Sequence, residues 1–252
     1  AVARLKPPFT QFPGPSQMKD KAEVKQFARI TAKELDGVGV NMNMAPVLDL
    51  LPGDTDSVMA GRSFGSDPRQ VSAMGTAVIS HLQRRRIMAV AKHFPGIGRT
   101  TDDSHIDMPR LDAGLDTLLS SDLIPFQAAI AADVSAVMLA HIFYPTIDAQ
   151  WPASLSPPVA RDLLRNHMHY QGVVITDDLD MGAIKKHFPI ETVIQQVLAA
   201  DIDIALICHA GPDIARAHEM LTSDAGRSAQ RTSRAIKSVK RILRLKSHYL
   251  LA

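Results

Sequence analysis

Apolar positions along this chain alternate between a helical rhythm and short continuous runs. From Ser16 to Asp36, Val24, Phe27, Ala28, Thr31 and Leu35 recur at helical spacing, and Gly37 is placed to end the helix. Asp67-Pro68-Arg69-Gln70 opens a second helix with an N-cap, a proline at the first position and a glutamine at the capping-box position. Its apolar face is Val71, Met74, Val78 and Leu82. Further helices are predicted over Asp122–Ala132, Ser156–Tyr170, Ile190–Ala200, Pro212–Thr222 and Ser228–Leu250. Between them lie apolar runs at Val38–Leu50, Ile87–His93, Val134–His141, Val173–Thr176 and Ile202–Cys208. Strands that are apolar throughout, not every second residue, are buried on both faces, as in a parallel sheet covered by helices. The pattern predicts a parallel α/β fold, and polar residues at the strand ends favour a TIM-type (β/α)8 barrel. Five strands are clear where a closed barrel has eight. No linker or internal repeat divides the chain, so residues 1–252 are expected to form a single domain.

Composition narrows the function classes. A chain of 252 residues with 46% hydrophobic and 21% charged residues is long enough for one sizeable core. A net charge of +2 provides no strong field for nucleic acid or an anionic membrane, so neither is an expected partner. Cys208 stands alone, which excludes an internal disulfide and suits a reducing compartment or indifference to one; a cytoplasmic setting is expected. No apolar run reaches the length of a bilayer span. Seven basic residues lie between Arg231 and Lys246 on the last helix; they are expected on a solvated face opposite Ile236, Val239 and Leu243.

The candidate chemistry concentrates at 92–105 and at 177–178. Asp177 and Asp178 follow the apolar run Val173–Thr176, and adjacent carboxylates are costly there unless they are paired or used. The bland alternative is a helix N-cap. Asp103-Ser104-His105 sets a carboxylate two residues from an imidazole, where it can fix the tautomer and raise the basicity of the other ring nitrogen. The bland alternative here is a surface loop with a chance histidine. Lys92 and His93 close an apolar run just before a Pro-Gly turn, where they could hold ligand hydroxyls, or His93 could be a satisfied core residue. His93, Asp103, His105 and His141 form a conceivable metal set, but no His-x-His or helical His-Glu-x-x-His pair supports it, and no metal or organic cofactor is expected.

Lys92-His93-Phe94-Pro95-Gly96-Ile97-Gly98-Arg99-Thr100-Thr101-Asp102-Asp103-Ser104-His105 resembles the Lys-His-Phe-Pro-Gly-His-Gly-Asp-Thr-x-x-Asp-Ser-His signature of family 3 glycoside hydrolases of the bacterial β-N-acetylglucosaminidase type. Asn43–Asp49, Gly61–Gly65, Ala140–Pro145, Pro152–Ser156 and Val174–Leu179 resemble further family segments in order. The resemblance implies a retaining exo-β-N-acetylglucosaminidase working on GlcNAc-containing glycosides during peptidoglycan turnover. In it Asp177 matches the nucleophile, His105 the acid/base, Asp103 the residue that orients His105, and Arg62, Lys92 and His93 the residues that grip the sugar. The alternatives are another family 3 β-glycosidase, a glycoside phosphorylase, or a sugar-binding protein without catalysis. Two departures fall on the loop leading to His105: the family's second histidine is Ile97 here, and its Gly-Asp-Thr is Gly98-Arg99-Thr100. Family members also carry an Asp-Gln-Glu-Gly-Gly segment before the part resembling Val2-Ala3-Arg4-Leu5, so the barrel's first strands and part of the sugar pocket are expected from a preceding segment or a partner chain.

Overall fold

A computed structural model describes residues 5–18, 20–53, 57–224 and 229–251. The described chain divides into two compact units, one built from residues 1–101, 116–137 and 249–252, the other from 102–115 and 138–248.

In the first unit, α1 spans Lys21–Gly37 and starts at Asp20, whose side chain accepts from Ala22 N and Glu23 N. It begins five residues later than the predicted Ser16, because the chain before it holds a short 3-10 turn at Pro15–Gln17. Val24, Ala28 and Ala32 are buried along one face, and Phe27 meets Phe12 edge-on at 5.2 Å. β1 is only Met42–Asn43, paired parallel with β2, Met88–Phe94, in the register Met42↔Met88 and Asn43↔Ala89. The run predicted as a strand over Val38–Leu50 follows β2 beyond these two residues, since Val90 N donates to Ala45 O at 2.9 Å, Lys92 N to Pro46 O at 3.1 Å and Leu48 N to Lys92 O at 2.6 Å. Pro46 has no N–H to donate, so the regular strand pairing is interrupted there and returns at the bridge Val47↔Lys92.

α2, Pro68–Arg84, forms as its sequence predicts: Asp67 accepts from Arg69 N, and Val71, Met74, Val78 and Leu82 are all buried. Each such aliphatic side chain contributes about 1.5–3 kcal/mol of burial. The capping box does not form, since the Gln70 amide donates to Phe64 O. A helical turn at Leu115–Thr117 continues as a wide turn at Leu118–Asp122 into α3, Ile124–Ala131. β3, Ala136–Leu139, lies next to β2; its last two residues count with the second unit.

In the second unit β3 is followed by α4, Pro158–His167, wound with wide π-type turns, and by its neighbour β4, Val173–Thr176. α5 is the short Gly182–Lys185, which no sequence signal predicted; α6 is Ile190–Ala199 and α7 is Pro212–Asp224. The run predicted as a strand at Ile202–Cys208 pairs with β4 over a short stretch: Ile204 N donates to Val174 O at 3.1 Å and Thr176 N to Ile204 O at 3.0 Å, around the bridge Ile175↔Ile204. The Thr176 hydroxyl takes the Leu206 N–H at 2.9 Å, replacing the carbonyl a ladder would use.

α8 covers Ala229–Leu250; its predicted first residue, Ser228, lies outside the described residues. Lys237, Lys240, Arg244 and Lys246 are exposed as expected, but the apolar stripe expected to face inward does not. Ile236, Val239 and Leu243 are 50%, 52% and 57% exposed. Arg241 is turned inward instead, paired with Asp201 and Asp203 at 2.7 and 2.8 Å, because the buried Asp203 carboxylate requires cations. Among the described residues no helix is long and apolar enough to cross a membrane. The parallel α/β class holds.

Candidate active site

In the first unit the strand end at 92–94 is organised by a residue the sequence reading left without a role. Asp49 is fully buried and accepts from His93 Nδ1 at 2.7 Å, from His93 N at 3.3 Å and from Ile97 N at 2.9 Å. A carboxylate only accepts, so His93 donates from Nδ1 and its ring is fixed in orientation. Asp49 thus ties the strand end to the turn after it. The one signal for this was a carboxylate closing the apolar pair Val47-Leu48. His93 is buried as well, so it is held by the core and is not a loose surface ligand. Lys92 lies half-buried on the same strand, its backbone bridged to Val47. Arg62 is half-buried in the segment after Met59, and Ser63 Oγ anchors that segment to Asp49 O at 2.6 Å.

The two departures from the family signature both serve this turn. Ile97 is buried. Arg99 donates through Nε to both oxygens of the buried Asp122, at 3.2 and 3.0 Å, and through Nη2 to Ser121 Oγ. Gly98 permits a close approach, since a Cβ there would run into the Leu50 carbonyl.

In the second unit Asp103 Oδ1 accepts from both His105 N, at 2.9 Å, and His105 Nδ1, at 2.8 Å. Nε2 takes no part in that contact. The His105 side chain is 68% exposed. The loop that carries it is docked on the start of α5: Gly182 N donates to His105 O and Ala183 N to Ser104 O, both at 3.1 Å. His187 Nε2 meets Asp107 Oδ1 at 2.6 Å, and this hydrogen bond holds the Asp107 carboxyl below its ordinary range. Asp177 follows β4 directly; its N–H reaches Leu139 O at 3.1 Å and its Oδ1 accepts from Asp178 N at 2.8 Å.

His141, once a conceivable ligand, is a core residue between Ser154 Oγ and the Asp178 carbonyl. The group with metal-ligand spacing among the described residues is instead Asp178, Asp180 and His209, and Asp180 there is already paired with Lys185 at 2.9 Å. Beside Asp178, the Cys208 thiol is pushed up to about 11, first by loss of solvation and then by the Asp178 charge. Asp103, His105 and Asp177 belong to the second unit, and Arg62, Lys92 and His93 to the first.

Residues 1–245 match the model of the glycosyl hydrolase family 3 N terminal domain. A β-hexosaminidase of Stenotrophomonas maltophilia is 37% identical over 188 residues, covering 75% of this chain and 55% of that protein. One from Xylella fastidiosa is 35% identical over 202 residues, covering 80% of this chain and 58% of its own. The chain thus spans little more than half the length of these curated relatives. Among solved structures, a family 3 β-N-acetylglucosaminidase from Paenibacillus sp. str. FPU-7 superposes with a TM-score of 0.85 at 34% identity, over 91% of this chain and 44% of that one. The β-N-acetylhexosaminidase of Beutenbergia cavernae superposes with a TM-score of 0.86 at 26% identity, over 96% and 73%. The chain belongs to glycosyl hydrolase family 3, through its N terminal domain.

Proposed function

We propose that this chain carries the bond-cleaving chemistry of a retaining exo-β-N-acetylglucosaminidase. The observation that carries the reading is the 2.8 Å contact between Asp103 and His105, in the same compact unit as Asp177. The β-hexosaminidase names of the curated relatives support the substrate class. Asp177 attacks the anomeric carbon as the bond to the leaving oxygen breaks, and His105 gives that oxygen its proton. A water then attacks the same carbon, gives its proton to His105 and releases the Asp177 carboxylate. Asp103 keeps the imidazole in the tautomer this needs and stabilises its charged form. Arg62, Lys92 and His93 supply cationic and N–H groups for the sugar hydroxyls, with Asp49 holding His93. The proposal takes the strands as part of a family-type (β/α)8 barrel and the substrate as a terminal GlcNAc, as in peptidoglycan fragments.

The test is hydrolysis of 4-nitrophenyl β-N-acetylglucosaminide by the full chain, paired with trapping by a fluorinated GlcNAc donor. Activity lost in Asp177→Ala, and a glycosyl adduct on the peptide that contains Asp177, are expected. An adduct on another residue, or an Asp177→Ala variant as active as the wild type, overturns the assignment.

A further inference from the structure

Helix α8 has no acidic residue in its 22 positions, so nothing along the helix offsets its cations. Lys237, Lys240, Arg241 and Arg244 follow one another at spacings of three, one and three, which puts them on one stripe. Like charges at such spacings cost a helix a few tenths of a kcal/mol per pair, roughly 0.2–0.5. The stripe lines a recess of about 340 Å³ together with Arg165 and Asn166 of α4. A recess of this size lies at the lower end of small-molecule sites, roughly 300–1,000 Å³.

The floor and the rim of the recess differ in charge. At the floor, Arg165 pairs with Asp201 and Asp203 at 3.2 and 2.7 Å, and Arg241 pairs with the same two carboxylates. Two guanidinium groups against two carboxylates leave the floor neutral and rigid. The rim is not neutral. Lys237, Lys240 and Arg244 are exposed and have no acidic partner among the described residues. Three uncompensated cations around one small recess form a positive well above a preorganised base. A single carboxylate would offset one of them. A phosphoryl group carries about −1.5 to −2 charges at neutral pH, so two or three linked phosphoryl groups match the rim. The planar fork of Arg244 suits phosphate oxygens bidentately, and the two ammonium groups act as point charges beside it.

We infer that this recess between α4 and α8 is a binding site for a small oligophosphate, a molecule bearing two or three linked phosphoryl groups. None of its residues belongs to the set assigned to sugar cleavage. The α8 stripe is also the positive patch a nucleic-acid backbone would use, but a small recess with a neutral floor and three cations around its rim, though half open to solvent, suits a compact ligand better than a polymer that tracks along a surface.

Isothermal titration of the full chain with tripolyphosphate, pyrophosphate and orthophosphate tests the inference, alongside a 20-nucleotide single-stranded DNA. Tripolyphosphate is expected to bind with a dissociation constant below about 1 mM at physiological salt, at least about tenfold tighter than orthophosphate. The variant combining Lys237→Gln, Lys240→Gln and Arg244→Gln removes only exposed side chains, so its melting temperature should stay close to the wild type. Its affinity for tripolyphosphate should fall by at least about tenfold. Undiminished binding in that variant overturns the site, as does no measurable binding of tripolyphosphate. DNA that binds more tightly than tripolyphosphate and displaces it overturns the small-ligand reading.

Discussion

Asp103 reaches His105 across the single residue Ser104, and both side chains of the pair are exposed, so it adds little to stability while setting the imidazole's tautomer. Asp103→Asn is therefore expected to lower kcat on an aryl β-N-acetylglucosaminide by about 10²–10⁴-fold, with the melting temperature nearly unchanged. Parallel kinetics and thermal melts check both halves. Cys208 is a second case where the neighbours decide the chemistry. With its thiol pushed up to about 11 from 9.0, its thiolate fraction near neutral pH is about a hundredfold lower than that of an unshifted thiol. Alkylation by iodoacetamide at pH 7.5 should be correspondingly slow, and Asp178→Asn should speed it by removing a nearby negative charge. The Asp103–His105 pair was legible because both partners sit within three residues. Asp49 was not, because its partners His93 and Ile97 are more than forty residues away.

At the scale of elements, the loop that carries His105 is positioned by α5, which is too short to leave a periodic signal. The two backbone contacts from Gly182 and Ala183 depend on a bare Cα at 182: a side chain there would run into the carbonyl oxygens of His105 and Ile106. Gly182→Ala is expected to displace the loop and reduce kcat by about a hundredfold, the usual cost of a misplacement near 1 Å. Circular dichroism and a thermal melt would report a fold still intact. Long amphipathic elements were legible, as α2 shows with its Asp67 cap and its four buried apolar positions. Short ones were not. The apolar runs 38–50 and 202–208 do pair with β2 and β4, but over shorter stretches than their length suggests, since Pro46 lacks a donor in one and the Thr176 hydroxyl captures Leu206 N–H in the other.

Stability of the second unit as a whole leans on one buried carboxylate. Asp203 accepts from Arg165 Nη2 at 2.7 Å, from Arg241 Nε at 2.9 Å and from Val174 N at 2.9 Å, and so links α4, α8 and β4. Asp203→Asn leaves two inward-facing guanidinium groups with Asp201 as their one remaining shared carboxylate, and an expected loss of about 1.5–3 kcal/mol can be read from urea denaturation. The same network explains why α8 shows solvent its apolar stripe of Ile236, Val239 and Leu243, contrary to what its periodicity suggested. By itself, the sequence determined the alternation of helices and apolar strands, the parallel α/β class and the family, and it singled out residues 92–105 and 177 as the candidates for chemistry. Those features are set by local spacing and by side-chain type. Only the tertiary structure decided which face of α8 turns inward, which carboxylate holds His93, and which backbone donors dock the His105 loop. Each of these is a pairing between groups far apart in the chain, made because a buried charge or an unsatisfied N–H must find a partner wherever the fold brings one.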